Sequence, residues 1–228
     1  REIIDIEERA QPRTPVLYEV VRRMGEEELA RPAVSLWWSG VAAGLSMSFS
    51  LVAQATLQIH LPLKIWTPLI VAAFRRSYEA AQVLIVFGAD LNALDNQSYD
   101  ALTVAAVRND LNMVSLLLAG GADARLVTSP YKGTALIAAA HLGHAEVCQA
   151  LIKAKAPVDH VNSLGLTALL EAIVLGDGGQ RHQATVKALI EGKASLDIAN
   201  RDGKTPLALA REKGFKEIVA LLEAAGAR

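Results

Sequence analysis

The feature that most restricts this chain of 228 residues is that it repeats itself. A residue followed by a small residue and leucine recurs as Thr67-Pro68-Leu69, Asp100-Ala101-Leu102, Thr134-Ala135-Leu136, Thr167-Ala168-Leu169 and Thr205-Pro206-Leu207, at spacings of 33, 34, 33 and 38. A second anchor recurs as Gly88-Ala89, Gly121-Ala122, Lys155-Ala156, Lys193-Ala194 and Gly226-Ala227, at spacings of 33, 34, 38 and 33. The long interval falls one step earlier in the second series. Five extra residues therefore lie inside the fourth unit, between its two anchors. A unit this small cannot bury an apolar face alone, so such a chain builds a stack whose units share one interior.

Each part of the unit has a physical role. Thr or Asp at the first anchor can cap a helix by accepting from a free backbone N–H. Pro68 and Pro206 then stand at the first helical position, where no N–H is needed. Alanines follow, at Ala72-Ala73, Ala105-Ala106 and Ala138-Ala139-Ala140, and let neighbouring helices approach closely. A second helix supplies an apolar ridge, for example Val114 with Leu116-Leu117-Leu118 and Val147 with Leu151-Ile152. Gly88 and Gly121 suit the left-handed turn that ends a helix.

These units resemble ankyrin repeats, over about residues 65–228. The resemblance implies an all-α solenoid of about five helix-turn-helix repeats with short hairpin tips, near 65–98, 99–131, 132–164, 165–202 and 203–228. The pattern also departs from the family. The histidine usual after the Thr-Pro-Leu anchor is replaced by Ile70, Thr103, Ile137, Leu170 and Ala208, which predicts more purely apolar stacking. Lys155 and Lys193 stand where glycine is expected, at a cost of about 1 kcal/mol each. The last repeat reads as a polar cap, with Arg211, Glu212, Lys213, Lys216, Glu217 and Glu223.

The remaining quarter is different. Residues 1–32 are charged and suit an amphipathic helix at a solvated or membrane surface, with Val16, Tyr18, Val20, Val21 and Met24 along one side. Residues 33–59 carry no charge, and the expectation is a transmembrane helix over 33–60, with Trp37 and Trp38 at its start. Ser46, Ser48, Ser50, Gln54, Thr56 and Gln58 keep open the alternative of a helix buried in a soluble protein, packed on the repeats. Gly40 and Gly44 form a GxxxG pair that would let two copies associate. Arginines and lysines flank both sides equally, so orientation is not readable. The chain opens on Arg1 and not on methionine, which leaves room for residues before it.

The segments Pro15-Val16-Leu17-Tyr18-Glu19-Val20-Val21-Arg22-Arg23, Gly25-Glu26-Glu27-Glu28-Leu29 and Trp38-Ser39-Gly40-Val41-Ala42-Ala43-Gly44-Leu45-Ser46-Met47 resemble the start of formate/nitrite transporter-family proteins. In that family a cytoplasmic amphipathic helix precedes the first of six spans. One span cannot form a pore, so the resemblance implies a membrane tether, or alternatively a fragment or regulatory fusion of a transporter-like protein. A tethered chain would be membrane-associated, at the inner membrane if bacterial.

Composition narrows the function. Net charge is −1, with 6 basic and 8 acidic residues in 1–60 and 17 and 16 in 61–228. Neither part has the basic excess that phosphate backbones require, which excludes nucleic acid as the expected partner. Aromatics make up 5%, and alanine and leucine dominate the apolar content, as closely packed short helices require. A single cysteine, Cys148, forms neither an internal disulfide nor a cysteine zinc site. His141 and His144 have metal-compatible spacing but no third ligand beside them. The inserted stretch 175–182 contains Gly176, Gly178, Gly179 and Arg181; it is neither a Walker motif nor a calcium loop, and reads as a longer inter-helix loop. Glu171 and Asp177 are close in sequence, without an arrangement that would separate their pKa values. No catalytic set and no cofactor motif emerge, so the expectation is a protein-binding scaffold and not an enzyme. Its useful surface should be the hairpin tips and the first-helix face, as the ankyrin resemblance implies. The candidate contact residues are Tyr99, Arg125, Tyr131, Lys132, His160, Asn162, Asn200 and Arg201, from residue types enriched at binding hot spots or placed at the tips.

Overall fold

In a computed structural model, residues 68–228 are described. Ten helices run through them in pairs: α1 (Pro68–Arg75) with α2 (Tyr78–Val86), α3 (Ala101–Val107) with α4 (Leu111–Ala119), α5 (Ala135–His141) with α6 (Ala145–Lys153), α7 (Ala168–Val174) with α8 (Gln180–Glu191), and α9 (Pro206–Glu212) with α10 (Lys216–Ala224). One short antiparallel hairpin, β1 (Val127–Thr128) with β2 (Gly133–Thr134), pairs Val127 with Thr134 and Thr128 with Gly133. The amphipathic segment 1–32 and the span expected over 33–60 lie outside the described residues. Among the described residues no helix is long and apolar enough to cross a membrane.

The caps form where the anchors place them. Asp100 accepts from the Thr103 N–H at 2.7 Å, Thr134 from Ile137 at 3.4 Å, Thr167 from Leu170 at 3.2 Å and Thr205 from Ala208 at 3.3 Å. Each satisfies one of the four orphan donors at a helix start. The odd-numbered helices stack in chain order as one layer. In the second layer α4, α6, α8 and α10 pack in sequence. Between the layers runs one continuous apolar interior, from Leu69 through Leu102, Leu136, Leu169 and Leu207 to Leu222. Fully buried alanines such as Ala105, Ala106, Ala139 and Ala140 set the close spacing of the first helices.

The positions that replace the family histidine behave as their side chains dictate. Ile137 and Leu170 are buried in the apolar stack. Thr103 is buried as well, and its hydroxyl meets that of Thr128 at 2.9 Å, which satisfies both. Cys148 is buried in the same interior; desolvation pushes its thiol up to about 12, leaving it protonated and inert at neutral pH.

Every second helix ends in the left-handed region. Gly88, Gly121 and Gly226 take φ of 78°, 101° and 93°, and Lys155 and Lys193 are forced to 68° and 66°. The lysines carry a Cβ into a conformation that favours glycine, so both sites hold modest strain.

The fourth pair departs from the template, and the expectation of a purely longer loop is corrected. The link between α7 and α8 is five residues where α3 and α4 are joined by three, and α8 has 12 residues where α4 has 9. Two of the inserted residues thus lengthen the link and three extend the helix by nearly a turn. The extension carries His182, whose Nδ1 lies 2.8 Å from Asp177 Oδ1 and whose Nε2 lies 3.1 Å from the His141 carbonyl. Both partners are acceptors, so each contact is a hydrogen bond when the facing ring nitrogen carries a proton. Arg181 also donates, to the Leu142 carbonyl. The Gly179 N–H and the His182 ring hold the Asp177 carboxyl below the usual range. Gly178, at φ 69°, lies against the Phe215 ring of the fifth repeat, where a Cβ would collide. The insertion therefore clasps the third repeat on one side and touches the fifth on the other.

Candidate partner-binding groove

The hairpin tips are built by one device repeated four times. Asp95 Oδ1 accepts from the N–H groups of Gln97 and Tyr99 at 2.8 and 2.9 Å. Asn162 Oδ1 accepts from Leu164 and Leu166 at 2.9 and 3.0 Å. Asn200 Oδ1 accepts from Asp202 and Lys204 at 3.0 and 2.9 Å. Ser129 Oγ occupies the matching position and accepts from Gly133 at 3.2 Å. These side chains fold the backbone over themselves, as Asx turns do. Three residues further on, Ser98, Lys132, Gly165 and Gly203 all adopt positive φ, between 53° and 81°.

Neighbouring tips are tied to one another. The Ser129 N–H donates to the Ser98 carbonyl at 2.6 Å, and the Ser163 N–H to the Tyr131 carbonyl at 2.7 Å. His160 Nε2 faces the Lys132 carbonyl at 2.7 Å, which fixes the proton on that nitrogen. Arg201 lies over Gly165 and donates to the Ser163 carbonyl.

Between these tips and the first helices lies an open groove of about 460 Å³. Tyr99 and Tyr131 come from the tips, and Ile137, Leu164 and Leu175 add apolar wall. Of the expected contact residues, the fold brings Tyr99, Tyr131 and Asn162 to this groove. Tyr131 is exposed and Tyr99 half-buried. Asn162 is buried, with its amide oxygen spent on the tip turn and its amide nitrogen donating to Glu171 at 2.7 Å, so it builds the floor. Arg125, Lys132, His160, Asn200 and Arg201 do not line the groove. Arg125 is exposed and lies 3.3 Å from Asp123 Oδ1; Lys132 and Arg201 are exposed on the tips, while His160 and Asn200 are half-buried there.

Glu171, noted in the sequence only for its nearness to Asp177, stands at the floor of the groove. Glu171 is buried, at 4% exposure, yet lines the groove. Its Oε1 accepts from Asn162 and its Oε2 lies 3.2 Å from His141 Nδ1. Counting four residues past the first anchor gives Val71, Val104, Ala138 and Leu209 in the other repeats. A carboxylate in that apolar series was the available signal. His141 and His144, near in sequence, serve different bonds: His144 Nδ1 donates to the Ala106 carbonyl at 2.9 Å. Burial draws the His144 imidazole below its ordinary value, against the opposing pull of that carbonyl. Among the described residues no group of three or more His, Cys, Asp or Glu is placed to hold a metal ion.

Paired helices stacked in register, capped tips and an apolar groove along the first-helix side define a helical repeat scaffold. The family model for ankyrin repeats (3 copies) matches residues 47–128 and 107–191, and the chain belongs to the ankyrin repeat family. It is 39% identical over 162 residues to the ankyrin repeat protein YahD of Escherichia coli, covering 71% of this chain and 80% of that one. The crystal structure of an ankyrin repeat domain from Acinetobacter baumannii is 38% identical, with a TM-score of 0.68 over 82% of this chain and 97% of that one. A shorter similarity, 46% identity over 55 residues, links 24% of this chain with 18% of the inner membrane protein YfdC of Escherichia coli.

Proposed function

We propose that this chain is a non-catalytic binding scaffold that seats a segment of a partner protein in the groove between its tips and first helices. The groove itself carries the reading: about 460 Å³ of open, largely apolar space rimmed by Tyr99 and Tyr131. Tyrosines present large contact area at low entropic cost, and central aromatic residues dominate binding energy in most interfaces. Tip residues outside the groove, Arg125, Lys132, His160, Asn200 and Arg201, form the polar rim of the same surface.

The scaffold is tethered to a bacterial inner membrane through residues 33–60. This rests on their uncharged run and on the similarity to an inner membrane protein. That similarity also favours a second reading, a regulatory fusion that associates with transporter-like subunits through Gly40 and Gly44. Detergent extraction followed by size-exclusion separates the two: a tethered scaffold elutes alone or as a small oligomer, and a transport accessory elutes with multispanning subunits.

Affinity capture from native membranes with the full chain tests the groove. Tyr99→Ala together with Tyr131→Ala should lose the captured protein, whereas Arg201→Ala should reduce it less. Undiminished recovery by the double variant refutes the surface.

A further inference from the structure

We infer that the groove selects a partner segment by one basic side chain, whose charged head reaches Glu171 and whose aliphatic stem lies along Tyr99, Tyr131 and Leu164. The inference rests on the scaffold reading and adds the chemistry of the occupant.

The argument begins with the cost of the carboxylate. A carboxylate at 4% exposure is expensive unless it is paired. The contacts Glu171 makes inside the chain are an amide from Asn162 at 2.7 Å and an imidazole nitrogen from His141 at 3.2 Å. A neutral imidazole can supply the second of these, in which case the negative charge is solvated but not cancelled. A carboxylate offers about four acceptor directions, and these two donors leave about two open. No lysine or arginine is among the residues that line the groove. No fixed cation therefore faces this carboxylate on the groove floor, and His141, 3.2 Å away, cancels its charge only when the ring is protonated.

The rest of the slot fits what such a head would bring with it. Lysine and arginine bury their methylene stems along apolar surface while placing the charge at a polar point. Tyrosine faces attract cations electrostatically, and more strongly where water is excluded. Apolar walls, two tyrosine rings and a terminal carboxylate are together complementary to a basic side chain. They oppose an acidic one, which would meet Glu171 as a like charge. The singularity of Glu171 in the repeat register supports the same conclusion, because the four equivalent positions are Val71, Val104, Ala138 and Leu209. The carboxylate there braces Asn162 and faces His141, and it still keeps acceptor directions that those two groups do not fill.

The test uses the full chain in detergent and four fluorescein-labelled pentapeptides, Ala-Leu-X-Leu-Ala with blocked ends, where X is Arg, Lys, Gln or Glu. Fluorescence anisotropy should show the Arg and Lys peptides binding at least about tenfold tighter than Gln, the discrimination expected of a charge-assisted hydrogen bond, with Glu weakest. Glu171→Gln should abolish the difference between Arg and Gln, and Tyr131→Ala should weaken both basic peptides without reversing the order. Equal affinity for all four peptides, no measurable binding of any of them, or an Arg preference that survives Glu171→Gln overturns the inference. Should Glu171→Gln fail to fold, the peptide series on the unaltered protein still decides, since there only the ligand changes. Capture of a partner that depends on Tyr99 and Tyr131, alongside indifference to X, leaves the scaffold standing and removes only the charge selectivity.

Discussion

The second and fourth repeats are built on the same template and solve different problems. In the second, α3 and α4 are joined by three residues, and the turn is closed by Asp110, whose carboxylate accepts from the Met113 N–H at 3.0 Å and from the Tyr78 hydroxyl at 3.0 and 3.1 Å. In the fourth, a five-residue link and a longer α8 reach sideways, and the bonds go to the carbonyls of His141 and Leu142 in the neighbouring repeat. The difference shows where a repeat stack can absorb extra chain. Each unit touches only its neighbours, so an insertion at the inter-helix end leaves the anchors, and hence the interior, in register. Both repeats are tied to a neighbour at this end, the second through Asp110 and the Tyr78 hydroxyl of the first, the fourth through inserted residues that reach the main chain of the third.

The largest expected effect tests whether the shared interior is in fact equivalent. Leu102→Ala and Leu169→Ala remove fully buried side chains at the same position of the second and fourth repeats, and each should cost roughly 2–5 kcal/mol in urea denaturation. A Leu169→Ala loss well below that of Leu102→Ala would mean the insertion has loosened the fourth repeat. Next comes the clasp. Gly178→Ala combines a left-handed backbone with a collision against Phe215 and should cost about 1–3 kcal/mol. Gly203→Ala, at φ 74° with open space around it, should cost only about 1 kcal/mol. Equal losses at the two sites would show that the contact with the fifth repeat contributes nothing.

Smaller gains are available at the helix ends. Lys155→Gly and Lys193→Gly relieve positive φ and should each raise stability by up to about 1 kcal/mol, read as a shift of the urea midpoint. The smallest effect concerns acidity. The folded Asp177 carboxyl lies below its ordinary value, so it stabilises the native state above the unfolded pKa, and that contribution is lost as pH falls through the folded one. The difference in melting temperature between the natural chain and Asp177→Asn should be present at neutral pH and vanish in acid. A difference that persists in strong acid would remove the carboxylate from the clasp.

Much of this was legible in the sequence, for physical reasons. Two independent anchors fixed the period, and Thr134, Thr167 and Thr205 cap helices because short hydroxyl side chains reach the third N–H of the next turn. The insertion was located to its repeat, but its division between link and helix was not. That division depends on His182 and Arg181 finding carbonyls in the third repeat, which no local pattern encodes. Tyr99 and Tyr131 stand on successive tips, and their meeting in one groove follows from stacking. Glu171 is legible only as a neighbour of Asp177, because its burial and its bonds to Asn162 and His141 come from the packing of the third repeat against the fourth. Asn162, a tip residue by its sequence position, is the internal brace of both the turn and that carboxylate.

The cross-linking of the tips has a further consequence for how the protein meets others. Carbonyls of Ser98, Tyr131, Lys132 and Ser163 are each already engaged by the adjacent tip. A passing extended chain finds few vacant main-chain acceptors there on which to add itself as a new strand. Such a rim resists polymerising edge to edge, even when crowded, and obliges a ligand to be recognised by its side chains.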